Sequence, residues 1–167
     1  ARGGEPRHRV LLDEPHAGGR RALAEVPQDG RVEAAGGGGR DCVARLDALE
    51  PRRIAVAIKE LGLKHVVITS VNRDDLADMG AEHFNQTVKA IHFQNPKCRI
   101  ELLIPDMRGR HELVDMILAS GLVSVLNHNV ETVPRLYKTV RPGADFQRSL
   151  KVLRWAKELH PGIMTKP

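Results

Sequence analysis

The sequence VSVLNHNVETVPRLYKTVRPG, residues 123–143, contains the most informative pattern of apolar and polar residues in the chain. Its first four residues are apolar or small, which is typical of a short buried strand, and the apolar pattern stops at Asn127, His128 and Asn129. Pro134 is compatible with the first turn of a helix. The stretch therefore predicts a strand over residues 123–126 that presents polar side chains at its end and leads into a helix.

Two amides, one carboxylate and two guanidinium groups follow this strand, on Asn127, Asn129, Glu131, Arg135 and Arg141. Amides and carboxylates suit hydroxyl or ammonium groups, and arginine suits a carboxylate. The set predicts a site for a zwitterionic small molecule that carries hydroxyl groups. A competing interpretation is that the amides bond to nearby backbone groups and the arginines form a solvated face.

Outward from this stretch, four predicted helices alternate with four predicted strands, which favours βα units around a parallel sheet. One strand, HVVITSV, is β-branched almost throughout, so we expect it to be buried on both faces. The predicted helices cover residues 51–61, 81–94, 111–120 and 145–160, and the strands residues 65–71, 99–104, 123–126 and 163–166.

The apolar spacing also predicts which face of each helix packs on the core. The first helix should use Ile54, Ala57, Ile58 and Leu61. The last helix should begin at an Asp145 N-cap, and it should pack through Leu150, Leu153, Ala156 and Leu159.

Polar clusters follow three of the strands, at residues 69–75, 105–108 and 127–131. Ligand sites in β/α barrels lie at the carboxyl ends of the strands, so we expect the three clusters to share one rim. An open, doubly wound sheet would also bring them to one edge, and the periodicity leaves both architectures open. The chain has no GxGxxG motif to favour a dinucleotide-binding fold.

Composition divides the chain near residue 46. Residues 1–45 contain nine of the 15 glycines and eight arginines, but no Lys, Ile, Ser, Thr, Asn, Met, Phe, Tyr or Trp. This segment shows neither helical nor alternating apolar periodicity, so we expect it to be irregular or disordered. Residues 46–167 have the composition of an ordinary α/β domain.

Charge and cysteine content exclude several classes of function. The net charge of +5 is scattered and no Lys/Arg tract is interleaved with aromatic residues, which argues against nucleic-acid binding. There is no membrane-spanning apolar run or signal-peptide core, so we expect a cytoplasmic protein without a membrane partner. Cys42 and Cys98 lie 56 positions apart without a CxxC motif, and the histidines show neither HxH nor HExxH spacing. We therefore predict no metal ligands in this chain, and a buried structural role for Cys98.

Residues 46–166 resemble the lipoyl synthase family of radical S-adenosylmethionine enzymes. The resemblance rests on four blocks in order: LGLKHVVITSVNRDDLADMGAEHF (residues 61–84), IELLIPDMRG (residues 100–109), NHNVETVPRLYKTVRPGADFQRSL (residues 127–150) and MTK (residues 164–166). It covers about three quarters of the chain and the middle of the family's length. It implies a partial (βα)6 radical-SAM-type barrel with parallel strands.

The resemblance implies a sulfurtransferase activity, namely sulfur insertion at C6 and C8 of protein-bound octanoyl groups by a 5′-deoxyadenosyl radical. The implied cofactors are S-adenosylmethionine and two [4Fe-4S] clusters, which carry the difficult chemistry. The implied partners are octanoylated lipoyl-carrier domains or proteins and an electron donor such as ferredoxin or flavodoxin.

Matching positions imply cofactor contacts and no catalytic side chain. Thr69, Ser70, Asn72 and Asp74 would approach the methionyl end of S-adenosylmethionine. Asn127, Asn129 and Glu131 would meet ribose hydroxyls or the methionyl group, and Arg135 or Arg141 would bind the carboxylate. The competing interpretation is that Asp74 and Asp75 cap the turn before Ala81, with Arg73 as their surface partner.

The chain departs from the family pattern in several places. Neither of the family's cysteine triads is present, so we expect this chain to be a fragment that is inactive alone. Met79 stands where the family more often has glycine, which suggests a backbone position with positive φ. Met107 stands where phenylalanine is more usual, and Pro167 replaces a serine.

The N-terminal composition suggests a hypothesis about the missing cysteines. Residues 1–45 lack every residue with AT-rich codons, as expected if a GC-rich coding sequence were translated in a shifted frame. A cysteine-rich translation in another frame of the source DNA would support this hypothesis, and its absence would refute it.

Three functions remain open from sequence. The first is lipoyl synthase. The second is a small β/α enzyme of another class that acts on a carboxylate substrate through Arg135 and Glu131. The third is a non-catalytic binding module that uses residues 1–45 to bind a partner.

Overall fold

A computed structural model describes residues 9–12, 22–25 and 45–167. Within them the strands form one sheet in the order β2-β1-β3-β4-β5-β6. Strands β3 to β6 are parallel, whereas β1 is antiparallel to both β2 and β3. The strands are β1 (Arg9–Leu12), β2 (Ala22–Glu25), β3 (His65–Thr69), β4 (Arg99–Leu103), β5 (Val125–Asn127) and β6 (Met164–Lys166).

The helices connect the parallel strands and pack side by side, α1 on α2, α2 on α3 and α3 on α5. Strands β3 to β6 follow one another without a reversal of order across the sheet, as they do in the wall of a β/α barrel. The predicted α/β class with parallel strands is confirmed. The helices are α1 (Glu50–Glu60), α2 (Ala81–Gln94), α3 (His111–Leu118), α4 (Tyr137–Val140) and α5 (Phe146–Leu159), with 3₁₀ turns at Met107–Gly109 and Pro134–Leu136.

The hydrophobic core lies between the helices and one face of the sheet. Val66, Ile100 and Leu126 on this face are at most 1% exposed and pack on apolar residues of α1, α2, α3 and α5. The prediction that the strand at residues 65–71 is buried on both faces is wrong. The strand ends at Thr69, and Val67 is only half-buried because it lies on the second face, away from the core.

The last helix confirms one prediction and corrects another. Asp145 is its N-cap, and its carboxylate accepts a hydrogen bond from the backbone N–H of Arg148 at 2.7 Å. The buried residues of α5 are Ser149, Val152 and Ala156, whereas Leu150 is 37% exposed. Ala156 is buried as predicted and Leu159 packs against the core, but in the first half of the helix Ser149 and Val152 are buried instead of the predicted Leu150 and Leu153. Apolar residues of α5 also lie next to the buried ones. The apolar periodicity alone therefore does not determine which face of the helix packs on the core.

The first helix shows a similar correction at its end. Ile54, Ala55 and Ile58 are buried, but Leu61 is exposed. Leu61 is the C-cap residue, so it lies beyond the last turn that continues the buried stripe. Its side chain contributes little to the core.

The N-terminal segment contributes two short strands that the sequence analysis did not predict. Strand β1 pairs with the edge of β3 from Arg9 opposite Thr69 to Leu12 opposite Val66. The rest of residues 1–44, including Cys42, lies outside the described residues. In the part of the chain that is described, no helix is long and apolar enough to cross a membrane.

Candidate functional site

A cleft of about 510 Å³ lies at the carboxyl ends of β3, β4 and β5. Its walls come from four segments that are distant in sequence, because parallel strands deliver their following loops to one edge of the sheet. The cleft is lined by residues from the ranges 69–74, 103–108, 128–131 and 141–149. The three polar clusters that the sequence predicts at one rim do meet there.

Seven of the nine cofactor-binding residues proposed from sequence line this cleft. They are Thr69, Ser70, Asn72, Asp74, Asn129, Glu131 and Arg141. The cleft lining does not include Asn127 or Arg135. Arg135 is exposed on the 3₁₀ turn Pro134–Leu136.

Asn127 is the last residue of β5 and not the first residue after it. Its side chain is buried, and its amide Nδ2 donates a hydrogen bond to Oε1 of the buried Glu101 at 2.9 Å. Lys166 on β6 contacts the same carboxylate oxygen at 3.3 Å. Asn127 thus joins a polar cluster across β4, β5 and β6, adjacent to the cleft but not in its lining.

Three arginine–carboxylate pairs line the cleft. Asp74 pairs with Arg108 at 3.1 Å, Glu131 with Arg141 at 3.2 Å, and Asp106 with Arg148 at 3.0 Å. All six side chains are partly exposed, and such pairs contribute at most about 1 kcal/mol each to stability. A ligand that carries one positive and one negative group can therefore replace a partner in these ion pairs with little net change in free energy.

Sequence reasoning missed three of these six side chains, on Asp106, Arg108 and Arg148. The first two lie in the polar stretch after β4 that the sequence did assign to the rim, so residue type alone could have included them. Arg148 lies in the first turn of α5, 42 positions from Asp106. Only tertiary packing brings it to the cleft.

The loop between β3 and α2 is held by a buried arginine. Arg73 is 6% exposed, and its Nε and Nη2 groups donate hydrogen bonds to the two carboxylate oxygens of Asp75 at 2.9 and 2.8 Å. This bidentate bond lowers the pKa of Asp75 and raises the pKa of Arg73. Arg73 is a partner of Asp75, as that interpretation expects, but it is buried and does not lie on the surface.

The cap of α2 also differs from the competing interpretation. The carboxylate of Asp78 accepts hydrogen bonds from the backbone N–H groups of Gly80 at 3.1 Å and Glu82 at 3.0 Å. Asp78 therefore performs the capping role that the sequence analysis considered for Asp74 and Asp75. Asp74 points instead to Arg108 in the cleft.

Non-glycine residues adopt left-handed backbone conformations at three places in the loops that follow the strands, one of which is Glu131 with φ of 54°. Met79 and Gly80 have φ of 53° and 83°, which agrees with the expectation of a positive φ at Met79. Met107 and Arg108 have φ of 47° and 48°, and the Asp106 carboxylate accepts a hydrogen bond from the Arg108 N–H at 2.9 Å. This turn directs the Arg108 guanidinium towards Asp74.

His128 lines the cleft, and this residue is only 5% exposed. Its Nδ1–H donates a hydrogen bond to the carbonyl oxygen of Ile104 at 2.8 Å. Its Nε2 atom is buried and has no hydrogen-bond partner among the described residues. The spacing of the histidines in the sequence indicates no ligand role for this residue.

The chemistry of the cleft fits S-adenosylmethionine. Carboxylates suit its ammonium and sulfonium groups, guanidinium groups suit its carboxylate, and amide, hydroxyl and imidazole groups suit the ribose hydroxyls. The orphaned Nε2 of His128 is a further sign that a ligand donor is expected here.

The described residues do not fit an iron–sulfur cluster. Within residues 9–12, 22–25 and 45–167, no three histidine, cysteine, aspartate or glutamate side chains lie together as a metal site. Cys98 is buried in the core, which raises the pKa of its thiol and agrees with the predicted structural role.

The chain is similar to known proteins of the Radical SAM superfamily. The sequence profile of the Radical SAM superfamily matches residues 34–165. The chain is 54% identical over 121 residues to the lipoyl synthase of Nitrosococcus oceani, which is 72% of this chain and 37% of that protein. Lipoyl synthases of Haemophilus ducreyi and Rubrobacter xylanophilus are 52% and 51% identical over the same length, with the same coverage. The chain thus spans little more than a third of the length of these relatives.

Proposed function

Because the chain belongs to the Radical SAM superfamily, we propose that its cleft binds S-adenosylmethionine in the service of the lipoyl synthase reaction. That reaction inserts sulfur at C6 and C8 of protein-bound octanoyl groups. The observation that carries the proposal is the meeting of three strand-end segments at one cleft, with three carboxylates and three guanidinium groups. The match to the Radical SAM superfamily, residues 34–165, extends through all of these segments.

The residues of the cleft would bind the methionyl group by exchanging their own charge partners. The ligand ammonium would approach Asp74 or Glu131, and the ligand carboxylate would approach Arg141 or Arg148. Each exchange replaces one exposed ion pair by another, so binding does not leave a buried charge without a partner. When bound and reduced by one electron from the expected electron donor, S-adenosylmethionine would supply a 5′-deoxyadenosyl radical able to abstract hydrogen, with methionine as the other product.

The smaller polar groups would orient the ligand. Thr69 ends β3, Ser70 and Asn72 follow it, and Asn129 follows β5; they offer hydroxyl and amide groups. These groups make neutral hydrogen bonds, which fix orientation more than they add affinity. Asn127 would act indirectly, because its bond to Glu101 holds the end of β5 against β4.

The proposed function includes the cofactors and partners of the family. We expect two [4Fe-4S] clusters, whose ligands are not found among the described residues, an octanoylated lipoyl-carrier domain or protein as substrate, and a ferredoxin or flavodoxin as electron donor. We also expect a cytoplasmic location and no nucleic-acid partner. An activity on a carboxylate substrate through Arg135 and Glu131 is less well supported, because Arg135 is not in the cleft lining.

Binding of S-adenosylmethionine to the purified chain, measured by titration calorimetry, tests the proposal. Arg141→Ala removes a guanidinium from the cleft, and Arg135→Ala is its matched control on the same connection. We expect Arg141→Ala to raise the Kd about tenfold or more, since a hydrogen bond to a charged group contributes about 1.5–3 kcal/mol. Arg135→Ala should leave the Kd unchanged. Equal effects of the two substitutions, or no binding by the unmodified chain, would refute the proposal.

A further inference from the structure

We infer that the outer surface of α4 and α5, next to the cleft, docks an acidic face of the protein domain that carries the substrate. This inference rests on the proposed function, to which it adds the docking surface and the charge of the partner. The surface consists of four cationic and two apolar side chains, all exposed, and we call it the α4–α5 surface. Its residues are Arg135, Lys138, Val140, Leu150, Lys151 and Arg154.

The positive charge of the α4–α5 surface is not neutralised within the described residues. None of its four cations forms an ion pair there. Asp145 is the only acidic residue in the range 132–157, and its carboxylate caps the N-terminus of α5. Exposed cations without internal partners attract an approaching anionic surface.

The loops on the other side of the cleft, after β3 and β4, differ in this respect. Their exposed cations are Arg108 and Arg110, and both are paired. Arg108 contacts Asp74 at 3.1 Å, and Arg110 contacts Glu112 at 2.7 Å. The unbalanced charge beside the cleft therefore lies on the side of α4 and α5, and an acidic partner would be drawn to that side.

The α4–α5 surface begins where the wall of the cleft ends. The cleft is lined by residues 141–144, which connect the two helices, and by residues 148 and 149 of α5. Tyr137 of α4 packs edge-on against Phe146 of α5, with ring centroids 5.4 Å apart. The Tyr137 hydroxyl donates a hydrogen bond to the carbonyl oxygen of Val130 at 2.8 Å. These contacts hold α4 beside the first turn of α5, so a docked partner would lie within reach of the cleft.

The surface also has an apolar component. The buried residues of α5 lie on one face of the helix, and Leu150, Lys151 and Arg154 lie on the exposed side. Leu150 is 37% exposed, and Val140 on α4 is 59% exposed. Apolar side chains together with surrounding charged ones are typical of contacts between proteins.

The same composition favours a protein over a nucleic acid as the partner. Proteins that bind single strands offer exposed aromatic rings on which bases stack. In the α4–α5 surface the uncharged side chains are aliphatic, whereas the rings of Tyr137 and Phe146 pack on each other. A DNA duplex could use only the four cations, through its phosphates. Duplex DNA therefore serves as the competing partner in the test.

Two double variants with the same change in net charge test the inference. Lys151→Glu with Arg154→Glu reverses two charges of the α4–α5 surface. Lys97→Glu with Arg99→Glu reverses an exposed lysine and an exposed arginine at the amino end of β4, the opposite end of the sheet from the cleft. Stopped-flow mixing measures the rate at which each protein associates with an octanoylated lipoyl-carrier domain of negative net charge.

We expect the first double variant to associate about tenfold more slowly than the unmodified chain at low salt, because charges beside an interface act mainly on the association rate. The second should stay within about twofold of the unmodified chain. The difference between the variants should shrink as the salt concentration rises, since exposed charges are screened.

A single substitution on α4 repeats the comparison if the first double variant does not fold. Lys138→Glu should slow association about threefold. Lys89→Glu, at an exposed lysine of α2, is its matched control and should leave the rate unchanged. The thermal midpoint of each variant reports whether it is folded.

Three results would each show that the inference is wrong: no association of the carrier domain with the unmodified chain, equal rates for the variants and their controls, or association of a DNA duplex of about 20 base pairs that is as fast and is slowed equally by the same substitutions. Titration calorimetry with S-adenosylmethionine separates this failure from that of the proposed function. If the unmodified chain and the variants bind S-adenosylmethionine alike while one of these results is found, only the inference fails. If the unmodified chain binds no S-adenosylmethionine, the proposed function fails and the inference fails with it.

Discussion

Met79 has a buried side chain and a backbone conformation that L-amino acids rarely adopt. It is 6% exposed, packs in the main core and has φ of 53°. The left-handed conformation costs a non-glycine residue about 1–2 kcal/mol, whereas loss of a buried methionine side chain costs about 2–5 kcal/mol. Packing therefore outweighs strain at this position, so a methionine is tolerated where the resemblance leads us to expect glycine.

A pair of substitutions isolates the strain at Met79. Both Met79→Gly and Met79→Ala remove the packing, but only glycine relieves the backbone. We expect Met79→Gly to unfold with a free energy about 1 kcal/mol higher than that of Met79→Ala, measured by urea denaturation. At an ordinary helical or extended position alanine would be the more stable of the two. That order at residue 79 would show that the backbone there is not left-handed.

The bond between Arg73 and Asp75 predicts a pH dependence. The pKa of Asp75 is lowered by its hydrogen bond from Arg73, so the bond stabilises the folded chain above the ordinary pKa of aspartate. The stabilisation is lost as the pH falls through the lowered pKa. Asp75→Asn should therefore have a lower free energy of unfolding than the unmodified chain at pH 7, and the difference should shrink in acid.

Urea denaturation of both proteins between pH 7 and pH 3 measures this difference. A substitution at Asp115, an exposed carboxylate on α3 that forms no ion pair with the described residues, serves as the control for a general effect of removing negative charge. A gap between Asp75→Asn and the unmodified chain that is constant with pH would contradict the account.

At the scale of elements, the sequence predicts where helices and strands lie more reliably than how they are rotated. The bounds of α2 agree with the prediction, because the apolar residues Phe84, Val88 and Ile91 recur at helical spacing and a proline follows the helix. The apolar residues of α5 cover a wider arc of the helix surface than the arc that contacts the core. Packing against α3 determines that Val152 is buried and that Leu150 is not.

This choice of face is testable by a matched pair. Val152→Ala opens a cavity in a fully buried site and should lower the free energy of unfolding by about 1–3 kcal/mol. Leu150→Ala removes more atoms but from an exposed site, so we expect an effect below about 0.5 kcal/mol. Chemical denaturation of both variants measures the two values. A larger effect for Leu150→Ala would mean that α5 is rotated.

The part of the candidate site that lies at the ends of the strands could be predicted from the sequence. Asp74, Asn129 and Glu131 follow parallel strands, and that topology alone brings them together. Asn127 was assigned to the cleft because its strand was expected to end one residue earlier; as a strand residue, it bonds to Glu101 instead. The side chain of Arg148 could not be placed, since it reaches the cleft from a helix through tertiary packing.

At the scale of the whole molecule, the two faces of the sheet have different roles. Its helix face carries the apolar core, and its second face carries the buried Glu101 with Asn127 and Lys166 beside the cleft. A buried carboxylate requires such partners, because an unpaired charge in the interior is costly. The cluster links β4, β5 and β6 directly under the rim from which the cleft residues extend.

The central claim is that the rim of β3, β4 and β5 binds an adenosyl-sulfonium ligand. Backbone amide chemical shifts of the chain, followed during titration with S-adenosylmethionine, test it most directly. The account predicts saturable shifts concentrated in residues 69–74, 103–108, 128–131 and 141–149. A second groove of about 370 Å³, between Leu118 and Ile163, provides the internal comparison. Shifts centred on that groove, or no saturable shifts at the rim, would contradict the account.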